Sequence, residues 1–195
     1  LLWTVSFLPH LFQNRILTDL ILDNEDNLPA NFGVFASSLR TLYAATPKKP
    51  FYLSSAPQCP FPDASDPLDL LLLCDFVWVQ FYNNPQCEIG STGFDASLKQ
   101  WSTALSLAPT SIKPQLYLGA PAFSQAGLTA YDAIGSAKGI VPVVKQVKGL
   151  GLSNFGGVMY WDGAEGMLNT EGGKNIMDVS YGSLCFALDF MRLSC

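Results

Sequence analysis

Five apolar runs of strand length recur along the chain, beginning near Arg15, Pro50, Asp75, Pro114 and Asn154. The intervals between them, roughly 25 to 40 residues, each hold a strand, a helix and two loops, which is the rhythm of a parallel β/α protein. The runs also end alike. Phe76-Val77-Trp78-Val79 passes into Gln80-Phe81-Tyr82-Asn83-Asn84-Pro85, and Gly156-Gly157-Val158-Met159-Tyr160 into Trp161-Asp162-Gly163. Pro50-Phe51-Tyr52-Leu53-Ser54-Ser55-Ala56-Pro57-Gln58 and Pro114-Gln115-Leu116-Tyr117-Leu118-Gly119-Ala120-Pro121 follow the same plan. Polar groups gathered at the carboxyl ends of successive buried strands are the arrangement of a (β/α) barrel, whose active site lies on that face. Rings that stack, set among amides and hydroxyls that hydrogen-bond, suit a sugar.

Composition excludes several other classes. With 195 residues, 49% of them hydrophobic, the chain can bury a sizeable core and contains no low-complexity segment. A net charge of −5 with scattered Lys and Arg argues against a nucleic-acid partner. The most apolar run, Leu70 to Phe81, is broken by Asp75 and Gln80, so no membrane span is read. The apolar opening is interrupted by Pro9 and His10 and has no basic residue before it, so it does not read as a signal peptide. Without an internal repeat or a linker, residues 1–195 read as a single domain.

The cysteines are Cys59, Cys74, Cys87, Cys185 and Cys195, with no C-x-x-C, and His10 is the only histidine. A zinc site or a His-activated nucleophile would therefore lack its usual ligands or base, and the reading calls for no metal and no cofactor. Cys59 and Cys87 each lie just beyond a strand ending. If those strands are neighbours a disulfide is geometrically reasonable, two free thiols being the other reading.

Helical spacing puts Phe35, Leu39 and Leu42 on one stripe of a helix over Gly33 to Tyr43, with Asn31 or Asn27 as its cap. Phe94 to Leu107, capped by Thr92, forms a second around Leu98, Trp101 and Leu105. A third covers Tyr131 to Val147, interrupted by Gly135, Gly139 and Pro142. An apolar run after Gly172-Gly173 reads as a closing helix. Chemistry falls to the acidic residues of Leu20-Ile21-Leu22-Asp23-Asn24-Glu25-Asp26-Asn27. On a strand i and i+2 point the same way, so Asp23 and Glu25 share a face with Ile21. Two carboxyls in a partly dry site resist double ionisation, and one can stay protonated as a general acid. The other reading is an acidic loop whose Asn and Asp residues cap the next helix.

Tyr52-Leu53-Ser54-Ser55-Ala56-Pro57-Gln58-Cys59-Pro60-Phe61-Pro62-Asp63-Ala64, Trp78-Val79-Gln80-Phe81-Tyr82-Asn83-Asn84-Pro85-Gln86-Cys87 and Gly156-Gly157-Val158-Met159-Tyr160-Trp161 resemble class III chitinases of plants and fungi, in the family 18 glycoside hydrolases. The resemblance extends from about Leu17 to about Met177. The family's acidic signature, D-G-x-D-x-D-x-E, ends its fourth barrel strand. By that likeness Glu25 is the acid that protonates the leaving oxygen, while the substrate's N-acetyl oxygen attacks the anomeric carbon with retention. Asp23 orients the acetamido group, Tyr82 hydrogen-bonds its oxygen, Gln80 and Asn83 line the same pocket, and Trp161 floors the cleaving subsite. Thr18, Asp19 and Ile21 depart from the signature at its first Asp, its Gly and its middle Asp, and Asn24 takes a usually apolar position.

The resemblance also implies a Cys59–Cys87 disulfide, cis peptides at Phe61-Pro62 and Trp161-Asp162, and a secreted, extracellular protein whose partner is chitin or N-acetylglucosamine oligosaccharides. The implied activity is hydrolysis of β-1,4 linkages, weakened by the loss of Asp at Ile21. A non-catalytic, carbohydrate-binding or vestigial fragment is the alternative; retention of Glu25 favours the enzyme, while the absence of Asp at positions 18 and 21 and of three barrel strands favours the vestige. Because only residues 1–17 precede the motif, the expected fold is α/β, a partial (β/α)8 TIM barrel holding strands four to eight. Side chains such as Leu20, Leu22 and Val158 would then line an interior lacking its opposite wall, and the open edges would favour self-association.

Overall fold

The computed structural model describes residues 19–45 and 50–185, with the backbone alone for Cys185. Strands β1 (Asp19–Leu22), β2 (Tyr52–Ser55), β3 (Phe76–Gln80), β4 (Gln115–Pro121) and β5 (Phe155–Trp161) pair in chain order as one parallel sheet. Helices α1 (Phe32–Ala44), α2 (Leu68–Leu71), α3 (Phe94–Leu105), α4 (Leu128–Ile134) and α5 (Ile140–Gly149) lie in the crossovers that parallel pairing requires. Beyond β5 come α6 (Gly163–Leu168), the hairpin of β6 (Thr170–Glu171) with β7 (Lys174–Asn175), and α7 (Ile176–Cys185). The sheet does not close on itself, and it is an open part of a (β/α)8 barrel with β1 and β5 at its edges among the described residues. Four of the five expected strands start within two residues of their predicted positions; Arg15 lies outside the described residues.

The two faces of the sheet differ. Leu53, Val77, Val79, Leu116 and Leu118 are fully buried in one layer with Leu98, Trp101 and Leu105 of α3 and Ile140 and Val144 of α5. Leu20, Leu22 and Val158 pack against this layer, so they line the helix-covered side and not the barrel interior, contrary to expectation. Register explains it, because Leu20 pairs with Leu53 and Val158 with Leu118. The opposite alternation carries a ladder of rings: Tyr52 and Phe76 have centroids 5.5 Å apart, Phe76 and Trp78 5.5 Å, and Trp78 and Tyr117 4.3 Å. The Tyr117 ring lies on β5 at a bulge, where a Cβ on Gly156 would come within 2.6 Å of it.

Three helix expectations need correction. Phe35 and Leu42 are exposed at 43% and 63%, while Gly33 and Ala36 are buried. Gly33 abuts the Asp69 carboxylate of α2, and Arg40 must reach Leu73 O and Asp75, so close approach and an ion pair turn α1 away from its greasier stripe. Asn31 occupies the N-cap position at φ 71° without a side-chain capping bond, and Gly93, not Thr92, precedes α3. The third helix is two, α4 and α5, separated at Gly135 to Gly139; Pro142 sits in the first turn of α5, where its missing N–H costs nothing. The closing helix is α7.

Trp101 is the largest fully buried side chain among the described residues. Its Nε1 donates to Cys59 O at 3.0 Å, Ser97 Oγ donates to the same carbonyl at 2.7 Å, and Phe61 meets the indole edge-on at 4.9 Å. The helix α3 is thereby locked to the loop after β2. Trp101→Ala should cost about 3–5 kcal/mol in urea unfolding, and Trp101→Phe, which keeps most of the burial but loses one donor, about 1–2 kcal/mol. Equal losses for the two would show that the Cys59 hydrogen bond contributes nothing.

Candidate active site at the strand ends

The carboxyl ends of β1, β2 and β3 meet around the amide of Gln80, which is only 7% exposed. Its Nε2 donates to Ala56 O at 2.8 Å, Glu25 Oε1 at 3.1 Å and Asp23 Oδ1 at 3.3 Å. The neutral backbone carbonyl fixes which way the amide faces, so its donors, not its oxygen, are turned to the acids. The expectation that Asp23 and Glu25 share a face holds, although both lie just past the end of β1. Burial, and after it the charge of Glu25, pushes the Asp23 carboxyl above the usual carboxylate range. Ile21, two residues earlier, pairs with Ser54 and brings no hydrogen-bonding group to that face.

Tyr82 is 4% exposed, and burial, then Asp23 and Glu25, push its hydroxyl well above the usual range, so it stays an O–H donor. A Cβ on Gly127 would lie 2.7 Å from Tyr82 Cβ, so the chain before α4 is packed directly on this residue. Asn83 adopts φ 62° and donates through Nδ2 to Ala126 O at 3.0 Å, which ties its amide to the turn before α4. Trp161 ends β5 opposite Pro121 and is 41% exposed. The six candidates therefore lie at one end of the sheet, with the acids just past edge strand β1, Gln80, Tyr82 and Asn83 at the end of β3, and the indole on the other edge. The peptides Phe61-Pro62 and Trp161-Asp162 are both cis. Asp162 Oδ1 accepts from Glu165 N at 3.0 Å and caps α6.

Beneath the acids the loops after β2 and β3 are joined by the Cys59–Cys87 disulfide, S–S 2.08 Å, and by Asn84 Nδ2 donating to Gln58 Oε1 at 2.9 Å. Cys74 is a buried free thiol. The feature that sequence reasoning missed is Asp66, 1% exposed, whose Oδ2 accepts from Ser55 Oγ at 2.6 Å while Oδ1 is buried without a partner. Burial raises its pKa from 3.8 to about 7, with Asp63, Asp23 and Glu25 adding to the rise against the Ser55 bond. Only a cluster of Asp and Ser in Asp63-Ala64-Ser65-Asp66 signals it in the sequence, and such clusters ordinarily make exposed turns.

A carboxyl that holds its proton more tightly when folded loses stability as pH rises from the unfolded to the folded pKa, because there only the unfolded state ionises. For Asp66 that window runs from about 3.8 to about 7. Asp66→Asn should therefore raise the melting temperature at pH 7.5 and leave it nearly unchanged at pH 3.5. A gain of the same size at both pH values would show that Asp66 is not protonated in the fold.

No protein-family model matches the sequence, whereas individual proteins do. The chain is 38% identical to Endochitinase 3 of Metarhizium robertsii across 72% of this chain and 42% of that protein. It is 35% identical to an acidic endochitinase of Cicer arietinum across 83% of this chain and 53% of that protein. The chain thus spans about half the length of the curated relatives it matches, or less. Among solved structures, a chitinase from Ipomoea carnea superposes with TM-score 0.57 at 32% identity, covering 74% of this chain and 51% of that one. The xylanase and α-amylase inhibitor protein XAIP-I, in complex with trehalose, superposes with TM-score 0.63 at 26% identity, covering 80% and 54%. With its motifs, open parallel barrel and acidic strand end, the chain belongs to the family 18 glycoside hydrolases, in the group of fungal and plant class III chitinases and chitinase-like proteins.

Proposed function

We propose that the strand ends bind β-1,4-linked N-acetylglucosamine, as in chitin, and cleave it slowly by the retaining, substrate-assisted route. The observation that carries this reading is the Gln80 amide donating to Asp23 and Glu25 together. Glu25 protonates the leaving oxygen as the substrate's acetamido oxygen attacks the anomeric carbon. Asp23, held above the usual carboxylate range by burial and then by the charge of Glu25, accepts the acetamido N–H and stabilises the cyclic intermediate. Tyr82, kept as a donor by burial, hydrogen-bonds the acetamido oxygen during attack. Asn83 shapes the pocket beside it, and the exposed Trp161 indole stacks under the sugar.

The disulfide supports an extracellular setting. Among the described residues no helix is long and apolar enough to cross a membrane. Ile21 supports a second reading, binding without turnover, because Asp23 has no carboxyl neighbour behind it on β1 to hold the proton that cycles during the reaction. The inhibitor protein that the fold resembles, solved with trehalose, is in keeping with a sugar-binding role.

One assay separates the two. Turnover of a fluorogenic chitobioside is expected to stay below about 1 s⁻¹, the low end for enzymes, and Glu25→Gln should abolish it. Calorimetric titration with chitotetraose should give binding in both proteins and a loss of about tenfold or more in Trp161→Ala. Turnover that survives Glu25→Gln would remove that residue from the chemistry, and absence of chitotetraose binding would overturn both readings.

A further inference from the structure

Glu25 lies beyond β1 in a stretch that belongs to no strand or helix, and its side chain is exposed. The residues around it are nevertheless fixed, and by one partner. Asn24 Nδ2 donates to Ser65 O at 3.0 Å, and the Asn27 amide donates to Ser65 Oγ at 2.9 Å. Ser65 thus grips the chain immediately before Glu25 and two residues after it. Asn27 holds φ 58°, a left-handed turn that asparagine tolerates.

Ser65 is itself held firmly. It is 5% exposed. Asp63 Oδ1 accepts from Ser65 N at 2.8 Å and Asp66 N at 2.7 Å, and Asp63 Oδ2 accepts from Gln58 N at 2.8 Å. The neighbouring Asp66 binds Ser55 at the end of β2, and Cys59 joins the same loop to Cys87. We propose that Ser65 is a positioning residue for the acid, a bracket that holds the Asn24 to Asn27 turn so that Glu25 meets the Gln80 amide. The catalytic part of this inference rests on Glu25 being the acid; the placement of Glu25 does not.

A displaced acid stays chemically intact but no longer lies in line with the leaving oxygen, so the loss should fall on kcat and spare KM. Ser65→Ala removes the hydroxyl acceptor and leaves the carbonyl. Ser65→Ala is expected to lower kcat about tenfold with KM within about twofold, to speed hydrogen exchange of the Asn27 amide, and to shift the Gln80 side-chain amide resonances toward their positions in Glu25→Gln. Ser65→Thr, which keeps the acceptor, should restore all three. If Ser65→Ala fails to fold, Asn24→Ala removes the other arm of the bracket with Ser65 intact and should give the same resonance shift.

Gln80 resonances that do not move in either variant overturn the proposal, and so does faster Asn27 exchange with kcat unchanged in an active protein. A wild-type protein with no turnover at all refutes the catalytic role of Glu25 instead, and the Gln80 resonances then decide the positioning alone.

Discussion

The site depends on where one side-chain amide is held. Gln80 ends β3, the middle strand of five, and its Nε2 reaches past the end of β2, where it also donates to Ala56 O, to the carboxylates just beyond β1. That third acceptor does more than add a bond. An amide free to flip could offer its oxygen to Asp23 and Glu25, which would repel both; a buried backbone carbonyl with its own need for a donor makes that orientation costly. The pairing of Asp23 with Glu25 is thus imposed by the sheet, from two strands away.

The sheet in turn is held at its carboxyl end by loops rather than by strand length. Strands β1 and β2 have only four residues each, and β2 meets β3 in register only at Ser54 and Ser55. Further up, pairing continues as isolated contacts: Ala56 N to Leu22 O, Gln80 N to Pro57 O, and Cys59 N to Gln80 O. The Cys59–Cys87 disulfide, the Trp101 and Ser97 bonds to Cys59 O and the Asp63 carboxylate then hold the loop that these contacts begin. Loops fastened at this density keep a geometry that short strands alone would not enforce.

What could be read from the sequence follows from which interactions are local. The strands were legible because each is a short apolar run with turn residues at its ends, and their order because parallel neighbours need crossovers. The pairing of Cys59 with Cys87 was legible through the motifs around them. The buried face of α1 was not, since its rotation is set by Gly33 meeting Asp69 and by Arg40 reaching Asp75, both contacts with residues some 35 positions away. Asp66 was hidden for a similar reason. Nothing in Asp63-Ala64-Ser65-Asp66 distinguishes a solvated turn from one pressed under two strand ends, and that difference alone changes a carboxylate into a carboxylic acid near neutrality.

Asp23, Glu25, Asp63 and Asp66 converge on the ends of β1 and β2 and act on one another electrostatically. The only arginine among the described residues, Arg40, is bound to Leu73 O and Asp75 at the opposite ends of the strands. Further down the inner face Asp19 is raised to about 6, chiefly by burial. Burial and the neighbouring charges together hold the Asp23 and Asp66 carboxyls above the usual range, Asp66 at about 7. Gln80, a neutral donor, steadies Asp23 and Glu25 together without setting a compensating cation beside them, as a lysine or arginine would.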